Sequence, residues 1–466
     1  METIIIGICK YIICLLVVMY TLYCFTVFRK RKESQAGVYG FQLFLMFAIH
    51  AFSFVCIFIG RYMDTREDML KCGIMYLVQV IVFLVFIIAY RLAYRRLSPL
   101  VFNNMLMLMA FGLIMQTRLD YDDAIKQLIF ITIGLTACII IPFIIRKIKY
   151  LKDFGWIYGF FGLICLMLVF VIGKEKYGAK NWIIIGGFAM QPSEFVKILF
   201  VFFVASCLSK AKDFKSIVKV SSLAAAHVMV LVLEKDLGGA LIYSVVYLFM
   251  LYIATSDIRY LLAGFGAGSL AAVIAYKLFF HVRVRVIAWK DPWSVIDKQG
   301  YQICQSLFAI GTGGWFGMGL TKGLPTSIPV VGSDFIFAGI SEEMGGIVGI
   351  CIILICISCF IMFINISMKI RLEFYKLIAL GLSIMYMFQV FLTIGGATKF
   401  IPSTGVTLPL VSSGGSSILS TIIMFNIIQG LYVLNQDDVE SRKQQEPRTA
   451  REGRKRRRNE LEDTIV

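Results

Sequence analysis

Three polar stretches interrupt an otherwise apolar chain and carry the residue types that reactions use. In Gln191-Pro192-Ser193-Glu194-Phe195-Val196-Lys197 a carboxylate and an ammonium stand three residues apart, which puts them on one face of a helix. Pro192 suits a first turn, where its missing N–H costs nothing, and Glu194 would meet the positive end of the helix dipole. The pair reads either as mutual neutralisation at a membrane edge or as a cation, Lys197, facing an anionic ligand. Further on, Glu234-Lys235-Asp236-Leu237-Gly238-Gly239 sets three charges in a turn that needs only its two glycines to reverse.

The second stretch, 281–344, opens with His281-Val282-Arg283-Val284-Arg285. It continues through Asp291-Pro292-Trp293, Asp297 and Gly300-Tyr301-Gln302, becomes glycine-rich over 311–319, and closes with Asp334-Phe335-Ile336-Phe337 and Glu342-Glu343-Met344-Gly345. Guanidinium and ammonium groups hold diphosphates, a carboxylate serves as a base, and aromatic rings pack on the apolar faces of sugars. Together they describe a site for a phosphorylated, sugar-bearing lipid. The glycines lack the spacing of a nucleotide P-loop. The third stretch runs from Lys399 through Ser403-Thr404-Gly405-Val406-Thr407 to Gly414-Gly415-Ser416-Ser417. Free N–H groups after the two glycines would form an anion site at a helix start, or Ser416 or Ser417 would simply cap a re-entrant turn. His50, His227 and His281 are too scattered for a histidine metal site, and no serine–histidine pair declares itself.

The elements that carry these stretches follow from composition: 466 residues that are 59% hydrophobic and 16% charged, with mean hydropathy +0.81, describe a polytopic membrane protein. About thirteen stretches reach the roughly 20 residues that a helix needs to cross a bilayer. They lie near 4–28, 41–60, 74–94, 100–116, 128–145, 155–173, 195–209, 217–233, 238–256, 260–280, 345–366, 376–395 and 416–435. Arg29, Lys30, Arg31 and Lys32 follow the first as a stop-transfer signal rather than a signal-peptide cleavage site. With the N-terminus outside and the C-terminus cytoplasmic, the inner loops hold +15 of the +17 net charge and the outer face holds −1. The basic character therefore reports orientation, not nucleic-acid binding. The three chemical stretches then share the outer face, with 281–344 as an ordered, partly re-entrant lid. The tail from 436, with Arg454 to Arg458 among carboxylates, is expected to be disordered and to meet lipid headgroups. The 12 cysteines form no disulfide or zinc pattern.

The order of these motifs resembles the FtsW/RodA/SpoVE (SEDS) family of peptidoglycan glycosyltransferases. The residues that carry the resemblance are Gly178-Ala179-Lys180-Asn181-Trp182, Gln191 to Lys197, Asp236-Leu237-Gly238, Gly300-Tyr301-Gln302 with Gln305-Ser306, and Gly313-Gly314 with Gly317-Met318-Gly319. Asp334 to Phe337, Glu342 to Gly345, Gly405 to Pro409 and Gly414 to Ser417 complete it. It covers about 100–435, ten of the spans, so 1–99 is read as about three additional N-terminal helices and 436–466 as the basic tail.

The resemblance implies an inverting glycosyltransferase that polymerises lipid II on the outer face of the bacterial cytoplasmic membrane, for division, elongation or sporulation. It implies a class B penicillin-binding protein, a transpeptidase, as partner. No organic cofactor is expected, and a divalent cation is an alternative to protein cations at the diphosphate. The family's essential Asp precedes the Gly-Tyr-Gln motif by five residues; here that position is Val295. Asp297 is accordingly taken as the base, with Asp291 in reserve. Lys197, Arg283, Arg285 and Lys399 would surround the diphosphate, with Gln191, Glu194, Asp236, Gln302, Ser416 and Ser417 completing the substrate site. Asp297, Glu342 and Glu343 are the candidate metal ligands. A lipid II flippase without polymerase activity is the rival; it predicts inverted repeats and charges near the bilayer midplane, and the sequence offers neither.

Overall fold

The structure, a computed structural model, describes residues 2–29, 35–60, 66–176, 179–185, 188–211 and 213–445. Lys30 to Lys32, Gly178 and the Arg454 to Arg458 run lie outside the described residues. Three helices come first, α1 (Glu2–Arg29), α2 (Gln35–Gly60) and α3 (Arg66–Ala93). Next are α4 (Pro99–Leu119), α5 (Tyr121–Cys138), α6 (Ile141–Lys147) and α7 (Gly155–Ile172). Pro142 separates α5 from α6, as a ring without a donor N–H does within a span.

After α7 the chain forms a small antiparallel sheet, β1 (Lys174–Lys176), β2 (Ala179–Ile185) and β3 (Phe188–Met190). Hydropathy does not announce it; the isoleucines of β2 suit a strand. Then follow α8 (Pro192–Leu208), α9 (Phe214–Leu233), α10 (Leu237–Thr255) and α11 (Ile258–Leu278). The 281–344 segment is ordered as α12 (Phe280–Lys290), α13 (Tyr301–Gly313) and α14 (Ile336–Met344), every residue of α14 being buried. Last come α15 (Gly346–Lys369), α16 (Glu373–Ala397) and α17 (Gly415–Gln445).

Among the described residues twelve helices, counting α5 with α6, are long and apolar enough to cross a membrane. The remaining predicted span is α8, whose 17 residues reach about 25 Å, close to the lower limit for a crossing. The chain is a multi-pass, all-α membrane protein with one small sheet. α4 is its axis: Leu100 to Thr117 are all buried, with α2, α5, α14, α15 and α17 packed around it. α11 lies at the rim and buries no residue.

Polar side chains fix the register of α1, α2 and α3 against α4, as they do where lipid supplies no hydrophobic drive. Asn104 of α4 accepts from Tyr20 at 3.0 Å and Cys24 at 3.2 Å on α1, and donates to Ser358 of α15 at 2.7 Å. Asn103 donates to Gln42 of α2 at 3.1 Å. His50 and Gln79 meet at 2.8 Å, and Gln79 donates to Thr117 at 3.2 Å, which joins α2 and α3 to α4.

Residues 436–445, expected to belong to a disordered tail, are helical instead, because α17 continues through Gln445; the rest of the expected tail lies outside the described residues. Asp437 on its extension is paired with Arg96 and Arg146, and Glu440 with Arg96, which holds these turns against the α3–α4 loop and α6.

Candidate active site

Every stretch singled out for chemistry lies at one end of the bundle, called here the site end. Asp236 organises it. Its Oδ1 accepts from the Gly239 N–H at 2.8 Å and so caps α10, while Oδ2 accepts from Gln191 Nε2 at 2.9 Å and Ser193 Oγ at 3.2 Å. Gly238 faces the strap that follows α16; a Cβ there would stand 2.3 Å from Val406 Cγ2 and 3.1 Å from the Thr404 carbonyl. The start of α8, the α9–α10 turn and the 403–407 strap are thereby locked together.

The Glu194–Lys197 pair forms as the i, i+3 spacing predicts, at 2.6 Å. Glu194 Oε2 also accepts from Ser420 Oγ at 2.8 Å, and Lys197 donates to Gln389 Oε1 at 3.0 Å. Gln389 Nε2 donates to the Thr407 carbonyl at 3.1 Å, and the Thr407 and Ser417 hydroxyls meet at 2.6 Å. One polar chain thus runs from α8 across α16 to the first turn of α17, where Ser416 and Ser417 are both buried.

Arg285 is half-buried and donates through Nη1 to the Ser403 carbonyl at 3.1 Å. Gly405, at φ +75°, lies between it and Asp334: a Cβ there would stand 3.7 Å from Asp334 Oδ2 and 3.9 Å from Arg285 Nη2. Burial pushes the Asp334 carboxyl up, with Ser333 and Arg285 pulling it back. Burial likewise raises Asp236 and lowers Arg285, which Asp334 and Asp236 both oppose. Glu234, 1% exposed and with neither oxygen hydrogen-bonded to a described residue, is pushed up to about 8 by burial and by Asp236. His281 is held below its ordinary value by burial, Arg285 and Lys235.

The other predicted residues are placed differently. Asp297 is exposed in the turn before α13 and makes no hydrogen bond or ion pair with a described residue. That turn closes tightly, since a Cβ on Gly300 would come 2.1 Å from the Pro292 carbonyl. Asp291 is also exposed, at the end of α12, where its Oδ1 takes a long bond of 3.4 Å from the Ser294 N–H. Lys399 is half-buried and its carbonyl accepts from Trp289 Nε1 at 3.2 Å. Burial raises the Cys304 thiol, with Lys399 opposing the shift and Asp291 adding to it. Arg283 and Gln302 are exposed.

Glu342 and Glu343 are turned elsewhere. Glu342 Oε1 accepts from the Leu324 N–H at 2.9 Å, and Glu343 Oε1 accepts from Arg118 Nη2 at 2.9 Å and Nε at 3.0 Å. Burial raises the Glu343 carboxyl, and Arg118 opposes the shift. Among the described residues no three of Asp, Glu, His and Cys converge as a metal cage. The set Asp297, Glu342 and Glu343 therefore does not fit one ion.

Sequence reasoning missed Gln389 and Ser420, neutral groups whose role appears only on packing; it named Thr407 and Asp334 within their motifs but gave neither a place in the substrate site.

The fold and site define a multi-pass membrane protein whose buried polar machinery is gathered at one end. Residues 91–436 match the FtsW/RodA/SpoVE family of cell cycle proteins, and the chain belongs to that family. It is 36% identical to the peptidoglycan glycosyltransferase RodA of Mycobacterium tuberculosis strain H37Rv, covering 72% of this chain and 79% of that one. It is 31% identical to the stage V sporulation protein E of Bacillus subtilis strain 168, over 69% and 93% of the two chains. Among solved structures, a chain of a peptidoglycan synthase complex that couples polymerization and crosslinking shares the fold at TM-score 0.62 and 23% identity, covering 74% of this chain and 99% of its own. The rod shape determining protein RodA of Thermus thermophilus does so at TM-score 0.56 and 22% identity, over 72% and 96%.

Proposed function

We propose that this chain is a peptidoglycan glycosyltransferase that polymerises lipid II into glycan strands on the outer face of the cytoplasmic membrane. The observation that carries the reading is the seam of Lys197, Arg285 and Asp236 at the site end, beside a loop that exposes a free carboxylate, Asp297. Asp297 takes the proton of the acceptor sugar hydroxyl as that oxygen attacks the donor anomeric carbon with inversion. The C–O bond to the diphosphate breaks, and the lipid diphosphate leaves with the electron pair. Arg285, with Lys197, Lys399 and Arg283, offsets the charge that develops there. Gln191, Glu194, Asp236 and Ser417 hold the cations and the strap in place, with Ser416 at the start of α17 and Gln302 on the open side.

The site end faces outward in this reading, with the N-terminus outside and the C-terminus cytoplasmic, as the positive-inside rule requires. Residues 100–435 form the catalytic core and 1–99 an addition to it. The partner is a class B penicillin-binding protein that crosslinks the strands. The flippase reading is weaker, because the ionisable groups of the candidate substrate site gather at one end of the bundle instead of near the midplane.

The test is to purify the full chain with its cognate transpeptidase in lipid, add lipid II and resolve the products. Glycan polymers support the proposal. Movement of lipid II between leaflets without polymer overturns it in favour of a carrier.

A further inference from the structure

Residues 2–90 lie outside the region that matches the family, yet they touch the loop that joins α13 to α14. Lys10, a charged residue eight positions into an apolar helix, donates from Nζ to the Gly317 carbonyl at 3.1 Å. A lysine within a span is costly unless it has a partner, and its partner here is this loop. The neighbouring Tyr11 ring meets Phe316 at 5.3 Å, and the Lys10 ammonium stands 5.1 Å from the Tyr11 ring centre. Ile6 fills the space beside Gly319, where a Cβ would come 2.9 Å from Ile6 Cγ2. The end of α2 closes the same contact: a Cβ on Gly60 would fall 1.7 Å from Thr321 Oγ1.

The braced loop is strained and connects two parts of the site. Gly317 and Thr321 both have φ near +76°, a region that Thr rarely adopts. The loop amides of Met318 and Gly319 donate to the carbonyls of Glu342 and Glu343 at 2.9 Å, so the loop is stitched to the end of α14. Its first residues leave α13, whose start adjoins the Asp297 turn; its last residues lead to Asp334 and the start of α14. Holding the loop therefore fixes the separation of those two carboxylate-bearing segments.

We propose that α1 and the end of α2 form a built-in brace for the 314–324 loop, with Lys10 as a positioning residue for the reaction at the site end. The brace is a claim about structure; its catalytic consequence rests on the polymerase reading above.

The experiment compares wild type with Lys10→Met, Lys10→Arg and Gly60→Val in full-length protein with its transpeptidase, after checking that each is monodisperse with a wild-type Tm. Hydrogen exchange reports on the loop independently of activity. Lys10→Met, which keeps α1 apolar, should speed amide exchange over 314–322 about tenfold and slow polymerisation at saturating lipid II about fivefold. Lys10→Arg, which retains a cationic donor, should restore both, and Gly60→Val should act like Lys10→Met from the other side. Unchanged exchange in both Lys10→Met and Gly60→Val overturns the brace. Faster exchange with an unchanged rate overturns the positioning role. If wild type itself makes no polymer, the polymerase reading fails and exchange alone still decides the brace.

Discussion

Lys197 Nζ stands 2.6 Å from Glu194 Oε2, one helical turn away on α8, and both side chains are largely withdrawn from solvent, 3% and 17% exposed. The Lys197 charge is thus shared between a carboxylate and Gln389 before any ligand arrives. Removing one partner strands the other in a low-dielectric place, which costs about 3–5 kcal/mol. Lys197→Met should lower the Tm in detergent strongly and abolish polymerisation. The Lys197→Met/Glu194→Gln double variant should recover most of the Tm and none of the activity. Recovery of activity would confine the pair to a structural role.

Asp297 and Asp291 differ in what surrounds them. Asp297 is free of protein partners among the described residues, whereas Asp291 receives the Ser294 amide at the end of α12. Asp297→Asn should cost about 10²–10⁴ in rate, the usual worth of a general base, and Asp291→Asn should retain most of it. Glycan chain lengths resolved on a gel decide the matter, and a reversed ranking transfers the role to Asp291.

Glu234 supplies a pH dependence. Its folded-state value, about 8 against an ordinary 4.5, means that the folded chain holds more protons than the unfolded chain between those pH values. Stability must then fall as pH rises through that window, by at most about 1.4 kcal/mol per pH unit from this one group. Glu234→Gln should remove that slope, raising the Tm at pH 8 and leaving it near wild type at pH 4.5. A Tm profile unaltered by the substitution refutes the assignment.

Gly313 is where α13 crosses the end of α14 backbone to backbone. A Cβ there would lie 2.0 Å from the Ser341 carbonyl oxygen and 2.7 Å from Glu342 Cα. No rotamer change relieves that contact, so Gly313→Ala should destabilise by about 1–3 kcal/mol or more. Thermal unfolding of the purified protein measures it, and an unchanged Tm would falsify the close approach.

Much of the architecture was legible in the sequence because lipid imposes a minimum apolar length, and each of the thirteen stretches has its helix. The Glu194–Lys197 pair was legible for a similar reason: helical spacing alone brings the two residues together. The acceptance of Gln191 and Ser193 by Asp236 was not, since those partners lie 45 and 43 positions away and meet only after α8, α9 and α10 pack. Gln389 and Ser420 carry no charge to flag them among apolar neighbours. The small sheet has strands too short for a periodicity to stand out. The extra turns of α17 depend on arginines of two other segments, which no local pattern reveals.

α17 runs unbroken from Gly415 to Gln445, about 46 Å at 1.5 Å per residue, longer than the roughly 30 Å of hydrocarbon it has to cross. Its first turn carries Ser417 at the site end, and its last turns carry Asp437 and Glu440, gripped by Arg96 and Arg146 at the opposite end. One unbroken helix thus acts as a ruler, setting the distance between the Thr407–Ser417 contact at one end of the bundle and the Asp437 and Glu440 ion pairs at the other.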